Sequence, residues 1–347
     1  MQAKKVSACL ILALVSTFIM APTTLSQSIF LKVTVTTEQS AYHYRQLVRI
    51  YGNVTYEDAL VEEGLVGLQV QAPNDRIIAL RTVPANATPS DPWTIEITSF
   101  MSTDSDGNPK DTFEKDSWAW FKVSIRNNNS FGNNTVLLTI TLCDVDSTPF
   151  QLHWLATVMN AQATLTEMVR LLVGAYDGGD WVSTGGATAY ANVYTDWPLN
   201  DGYPYSPEKS ANFTITSGSG LSSLSTNSAI QANENGYNSY EAAIRLPPRT
   251  PLGTCTIIAS AYYNGHKDAF NTTTFDREYE MLGDIVFDRK IDIYDIVAVA
   301  SAYATQGGSP LWNPEADVTS PNNPEHADGK VNLYDVVLIS GKYGTTY

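Results

Sequence analysis

Between Asp284 and Asp335 the chain carries oxygen-bearing residues at intervals that suit the binding of a hard divalent cation. Asp284, Asp288, Asp292 and Asp295 fall at positions 1, 5, 9 and 12 of a twelve-residue calcium loop, with the backbone carbonyl of Lys290 at position 7. A second set, Asp317, Thr319, Asp328, Lys330, Asn332 and Asp335, supplies positions 1, 3, 5, 7, 9 and 12 of another loop, whose first half is displaced by the inserted segment Ser320–Ala327. That insertion must loop out, as Pro321 and Pro324 permit, and Glu325 or His326 offers a substitute ligand if it swings back. Such ligand sets point to calcium, and to a segment that tightens when the ion neutralises clustered carboxylates.

The two loops belong to an internal repeat. Ile291–Thr305 aligns with Val331–Thr345, leaving Tyr294/Tyr334, Asp295/Asp335, Val297/Val337, Tyr303/Tyr343 and Thr305/Thr345 identical. Ile293, Ile296, Val297 and Ala300 occupy i, i+3, i+4 and i+7, and Leu333, Val336 and Val337 repeat the first three of those places. This periodicity predicts two short helices whose apolar faces pack against each other.

Together Gly283-Asp284, Lys290–Val297, Trp312–Asp317 and Asp328–Asp335 resemble the dockerins, in the divergent form found in archaeal and other non-cellulosomal secreted proteins. The resemblance covers residues 282–347. It implies two loop-helix calcium units packed together and docking onto a cohesin-like module or another surface protein. In loop 1 the chain departs from the pattern at position 3, where Val286 has no side-chain oxygen, and at position 6, where Arg289 replaces the usual turn glycine. Family members face the partner with loop positions 10 and 11, here Ile293-Tyr294 and Leu333-Tyr334. Two readings of these residues stay open: a hydrophobic recognition patch, or a seal over the core between the units.

The elements ahead of this tail are read as strands. Leu31, Val33 and Val35, then Val48 and Ile50, then Val66, Leu68 and Val70 alternate with other residues, and turn residues separate the runs. Farther on, Ala119, Phe121, Val123 and Ile125 share one face, and Leu138, Ile140 and Leu142 another; Ala187–Thr195 and Asn212–Thr216 are a further pair, joined by the aromatic loop Asp196–Lys209. Tyr240–Leu246, Cys255–Tyr263 and Asn271–Phe275 give three more strands, too few to stand alone. This order, with Trp120–Asn127 reading WFKVSIRN, resembles the immunoglobulin-like modules of microbial surface proteins. The expected fold is mainly β: tandem immunoglobulin-like β-sandwich domains with a small α-helical dockerin-like C-terminal domain. The expected division is a signal peptide over 1–26, sandwiches over 29–90 and 91–217, a linker plus short β unit over 218–279, and the calcium module over 280–347.

Lys4 and Lys5 followed by an apolar run from Val6 to Met20 read as a secretory signal, too short to span a bilayer comfortably, so the protein is expected to be extracellular or on the cell surface. Six glycosylation sequons, at Asn53, Asn86, Asn128, Asn133, Asn212 and Asn271, fit that compartment. Removal of residues 1–26 takes away two lysines and no acids, so the formal charge of −15 becomes −17. So acidic a surface argues against nucleic acid and anionic lipid as partners. Cys143 and Cys255 remain, either as a disulfide or as two buried thiols.

No helix-borne His-Glu-x-x-His, Cys-x-x-Cys, Gly-x-Ser-x-Gly or phosphate-cradling loop occurs in the sequence. Asp196 and Glu208, flanking a loop with Trp197, Tyr203 and Tyr205, are the pair a glycoside hydrolase would require, and the same aromatics could stack sugars. The expectation is a secreted adhesion or scaffolding protein without catalysis. A carbohydrate-binding accessory of a polysaccharide-degrading system ranks second and a hydrolase third.

Overall fold

Alternation of β-branched and aromatic residues with polar ones builds nineteen strands among the described residues, numbered in chain order. The computed structural model describes residues 30–43, 46–90, 93–174, 181–217, 238–248, 250–278, 282–286, 290–306, 309–319 and 328–346. The expected signal segment, the Ser- and Gly-rich stretch from 218 to 235, Asp288, Arg289 and the insertion 320–327 lie outside the described residues. Among the described residues, no helix is long and apolar enough to cross a membrane.

The first sandwich begins with β1 (Leu31–Val33), β2 (Thr36–Thr37), β3 (Ala41–Tyr42), β4 (Leu47–Gly52), β5 (Val54–Tyr56), β6 (Ala59–Leu60), β7 (Leu65–Gln71) and β8 (Ile77–Pro84). The second is β9 (Ile95–Thr103), β10 (Thr112–Glu114), β11 (Trp118–Asn127), β12 (Asn134–Cys143), β13 (Pro149–Met159), β14 (Thr164–Leu172), β15 (Gly185–Tyr194) and β16 (Lys209–Thr216). Its sheets, in the orders β14-β11-β9 and β10-β16-β15-β12-β13, enclose a core that includes Phe121, Val123, Leu138, Ile140 and Phe213.

Strands β17 (Tyr240–Arg245), β18 (Gly253–Tyr263) and β19 (His266–Arg277) form no separate unit, contrary to the division read from the sequence. β17 pairs with β4, and β18 lies between β7 and β19 in the order β3-β19-β18-β7-β8. The second sandwich is therefore an insertion into the first. The reason is core closure: Ile244 of β17 and Cys255, Ile257, Ala259 and Ala261 of β18 complete the cluster begun by Val48, Ile50, Leu68 and Val70. Alternation reveals that a strand has a buried face and leaves open which sheet it joins.

Both faces of β7 are buried, because the second sandwich covers its outer side. Tyr194 of β15 enters this contact, packing with Leu80 and Leu137, and its hydroxyl donates to the Arg81 carbonyl at 2.6 Å while accepting from Thr82 Oγ1 at 2.9 Å. Gly67 makes room for the ring: a Cβ there would lie 2.5 Å from Tyr194 Cε1. Beside it Arg81 and Glu208 form a two-pronged ion pair, Nη2 to Oε1 at 2.7 Å and Nε to Oε2 at 2.9 Å, with the Arg81 guanidinium over the Tyr190 ring. Burial works against the Arg81 charge, but Glu208 more than offsets it, so the guanidinium is held above the usual arginine range.

The tail holds two nine-residue helices, α1 (Ile293–Ser301) and α2 (Leu333–Gly341), around a small core of Ile285, Ile291, Val299, Val318, Val331 and Ile339. Each loop pairs with the segment that follows the other helix. Ile291 N donates to Thr345 O at 2.9 Å and Val331 N to Thr305 O at 2.9 Å, while Gly344 N reaches Ile291 O and Ala304 N reaches Val331 O. The bonds repeat with a forty-residue offset, so the repeat in sequence becomes a reciprocal pairing in space. Trp312 Nε1 donates to Asp146 Oδ1 at 2.9 Å, and Arg245 pairs with Glu315 at 3.1 Å, tying the tail to both sandwiches.

Candidate functional site

In both loops the last aspartate is a collecting point for backbone donors. Asp295 Oδ1 accepts from Ile285 N at 2.6 Å and Val286 N at 3.1 Å, and its Oδ2 from Asp292 N at 2.8 Å. Asp335 repeats the set with Val318 N, Thr319 N and Asn332 N at 2.9, 3.0 and 2.8 Å. Asp292 and Asn332 are helix N-caps, each accepting from the tyrosine two residues on at 2.8 Å, and Asp295 and Asp335 reach back to complete capping boxes. The spacing read as ligand positions 9 and 12 thus also caps a helix, a role that a short polar residue three places before an acid signals in a sequence.

Asp317 and Asp328, eleven residues apart in sequence, meet. Asp317 accepts from Asp328 N at 3.0 Å and Gly329 N at 2.7 Å, so the two displaced halves of the second loop are joined across the insertion. Asn332 Nδ2 approaches Asp328 Oδ2 and the Lys330 carbonyl at 3.5 and 3.4 Å, and Thr319 is buried beside them. Gly329 takes a positive φ of 82°, the conformation its place in the loop requires. Burial holds the Asp328 and Asp335 carboxyls above the ordinary aspartate range, against the pull of backbone donors. In the first loop Asp284 is buried and Asp292 and Asp295 close the end, while Asp288 falls outside the described residues.

Among the described residues no three His, Cys, Asp or Glu side chains converge as a metal cluster. The second loop brings Asp317, Thr319, Asp328, Asn332, Asp335 and the Lys330 carbonyl into one segment, but both oxygens of Asp317 and of Asp335 accept from backbone N–H groups, so the loop is held by hydrogen bonds of its own.

The helices do not turn the expected face inward. Asp295, Val299 and Ala302, at i, i+4 and i+7, are buried in α1 and just beyond it, as are Asp335 and Ile339 in α2. The loop donors gathered on Asp295 and Asp335 fix the rotation of each helix and carry that stripe to the core. Ile293, Tyr294 and Val297 and their counterparts Leu333, Tyr334 and Val337 are left between 53% and 66% exposed. They do not seal a core.

The aromatic loop is divided between two clefts. Trp197 lines a cleft of about 500 Å³ between the sandwiches, with Trp154 and Trp181. Tyr203 and Tyr205 line a smaller one of about 270 Å³ with Tyr262 and Lys267. Trp154 belongs to β13, which sequence reading missed because its exposed places carry Trp, Ala and Val rather than charges. Glu208 is committed to Arg81 and to Thr82 N, and Asp196 caps its neighbour Trp197 N, so the carboxylate pair considered for hydrolysis is not arranged for it.

Asn86, Asn133, Asn212 and Asn271 are exposed and Asn53 and Asn128 half-buried, and the side-chain amides of Asn86, Asn128 and Asn271 donate to the Val61, Trp93 and Val33 carbonyls. Cys143 and Cys255 are free, buried thiols; Cys255 of β18 belongs to the first core, Cys143 of β12 lies near Arg81 and Glu208, and burial pushes Cys255 up to about 11 and Cys143 up to about 12.

No family model matches the chain, and no curated protein matches it. Among solved structures, the alkylpurine DNA glycosylase AlkC of Pseudomonas fluorescens, bound to DNA containing an abasic site analogue, is similar over 38% of this chain and 32% of its own, at 11% identity and a TM-score of 0.27. The C-terminal domain of wzt is similar over 37% of this chain and 76% of its own, at 11% identity and a TM-score of 0.30. A β-glucosidase from Listeria innocua shares 36% of this chain and 16% of its own, at 11% identity and a TM-score of 0.25. At such scores none of these likenesses bears on function.

Proposed function

We propose that this chain is a secreted or cell-surface adhesion or scaffolding protein, built of immunoglobulin-like sandwiches, whose dockerin-like tail binds structural calcium and docks onto a cohesin-like or other surface protein. The observation that carries the reading is the pair of apolar patches, Ile293-Tyr294-Val297 and Leu333-Tyr334-Val337, repeated in sequence and left exposed in both copies. A small secreted module that spends its large apolar residues on the surface presents them to a partner. The loop oxygens support calcium as the ion that holds those helices in place.

Calorimetry of the full chain tests the metal. A loop occupied at one hundred times its dissociation constant gains about 2.7 kcal/mol, so chelation should lower the unfolding temperature of the tail. An unchanged thermogram would refute the calcium assignment. Docking is tested in envelope fractions of the native host: replacing Tyr294 and Tyr334 together by Ala should release the chain to the medium, and full retention would count against the patches.

A second reading is a carbohydrate-binding accessory of a polysaccharide-degrading system, favoured by the two aromatic clefts. Hydrolysis ranks below it because Glu208 is tied up by Arg81.

A further inference from the structure

The larger cleft lies where the first sandwich covers only part of the outer face of the second. β8 seats on β12 and β15, with Thr141 Oγ1 against the Leu80 carbonyl and Asn192 Nδ2 reaching the same oxygen. β8 covers the edge strand β13 only in part, and on the open part Trp154 stands 55% exposed, its ring edge-on to Trp197 at 5.9 Å and 74°. Two indoles near a right angle offer two apolar platforms. Trp181 adds a third, and Asp75, Arg76 and Gln151 carry the polar groups of the lining. At about 500 Å³ the space falls within the ~300–1,000 Å³ common to small-ligand sites.

The lining combines two demands that one ligand chemistry meets. A pyranose has an apolar C–H face that stacks on an aromatic ring, and a rim of hydroxyls that both donate and accept. Arg76 donates, Asp75 accepts with lone pairs beyond the one that takes Gln71 Nε2 at 3.3 Å, and Gln151, whose Nε2 donates to the Gly174 carbonyl at 3.2 Å, accepts through its amide oxygen. A purely apolar ligand would leave those groups unused, and an anionic one meets a chain of net charge −15. The walls belong to two sandwiches clamped by Arg81 and Glu208, so the cleft stands open before any ligand arrives and little ordering opposes binding.

We propose that this cleft binds a neutral carbohydrate, a short run of sugar units in a polysaccharide stacked on Trp154 and Trp197 with hydroxyls held by Asp75, Arg76 and Gln151. The proposal deepens the reading of a carbohydrate-binding accessory and is independent of the tail.

Native affinity electrophoresis of the full chain tests it, with hydroxyethylcellulose, xylan, galactomannan and amylopectin as the probes. At least one should retard migration. Trp154→Ala should weaken that association at least tenfold, Trp154→Phe should restore most of it, and Tyr203→Ala in the smaller cleft should leave it within about twofold. Trp154 is exposed enough for its removal to spare the core, and an unchanged unfolding temperature verifies that. Retardation that survives Trp154→Ala but is lost in Tyr203→Ala overturns this site while leaving the accessory reading in force. No retardation by any of the four overturns both. A tryptophan fluorescence response to the apolar dye anilinonaphthalene sulfonate, with none to the four polysaccharides, would assign the cleft to an apolar ligand instead.

Discussion

The contact between the two sandwiches and the contact that holds the tail use the same device in different surroundings. Each has a charged pair, Arg81–Glu208 in one and Arg245–Glu315 in the other, and each has an aromatic hydrogen bond, from Tyr194 or from Trp312. Around the first pair lie Leu80, Leu137, Tyr190 and the ring of Tyr194, set against Gly67. The second is flanked by the acidic turn of Asp144 and Asp146 and by Ser183. A charged pair embedded in apolar packing fixes two bodies to each other, because separating it strands a charge away from water. The second pair is as shielded from water as the first, 19% and 11% exposed against 15% and 17%, so what sets it apart is the acidic turn beside it, through which the attachment varies with pH.

The largest expected effect falls on the first contact. Glu208→Ala should cost about 3–5 kcal/mol by leaving Arg81 buried without its partner, read as a lower midpoint of urea unfolding. A loss under about 1 kcal/mol would put the two contacts in one class. Trp312→Phe, which keeps the ring and removes one hydrogen bond to a carboxylate, should cost about 1.5 kcal/mol and loosen the tail alone. Hydrogen exchange confined to residues 282–346 would bear that out, and protection lost throughout the sandwiches would break the distinction.

The smallest effect is a pH dependence. Burial and the neighbouring Asp146 charge push the Asp144 carboxyl up, to about 7, against the pull of Ser183, Thr148 and Asp146 backbone donors. Because the folded value lies above the unfolded one, the stability Asp144 contributes is fully present below about pH 4 and is lost as pH rises through about 7. Asp146→Asn keeps an oxygen for Trp312 and an amide for Ser183 Oγ, yet removes the repelling charge. The fall in stability between pH 5 and pH 8, read from urea unfolding at each pH, should shrink in this variant by on the order of 1 kcal/mol. Superimposable pH profiles would remove Asp144 as a titrating element of the tail contact.

Much of the local structure was legible. The period of two placed β4, β7, β11 and β15, and the i, i+3, i+4 spacing placed both helices. The face each helix buries was not legible, since Ile293 and Val297 are as apolar as Val299 and only the donors gathered on Asp295 select between them. β13 escaped because Trp154 and Val158 sit on its exposed side, where polar residues mark a strand's outer face more plainly. The aromatic loop was recognised, but its division between two clefts depends on partners, Trp154 and Tyr262, that lie far from it along the chain.

By itself the sequence determined the things that depend on near neighbours: the strand and helix periods, the doubled loop with its aspartates, the acidic charge and the sequons. Only the tertiary structure decided that β17–β19 return to close the first core, that Asp317 meets Asp328 across an insertion, and that three distant tryptophans share one cleft. The reason is physical. Backbone preference and side-chain alternation act over a few residues, whereas closing a core or walling a cleft is settled by which apolar faces find each other after long stretches of chain have folded back.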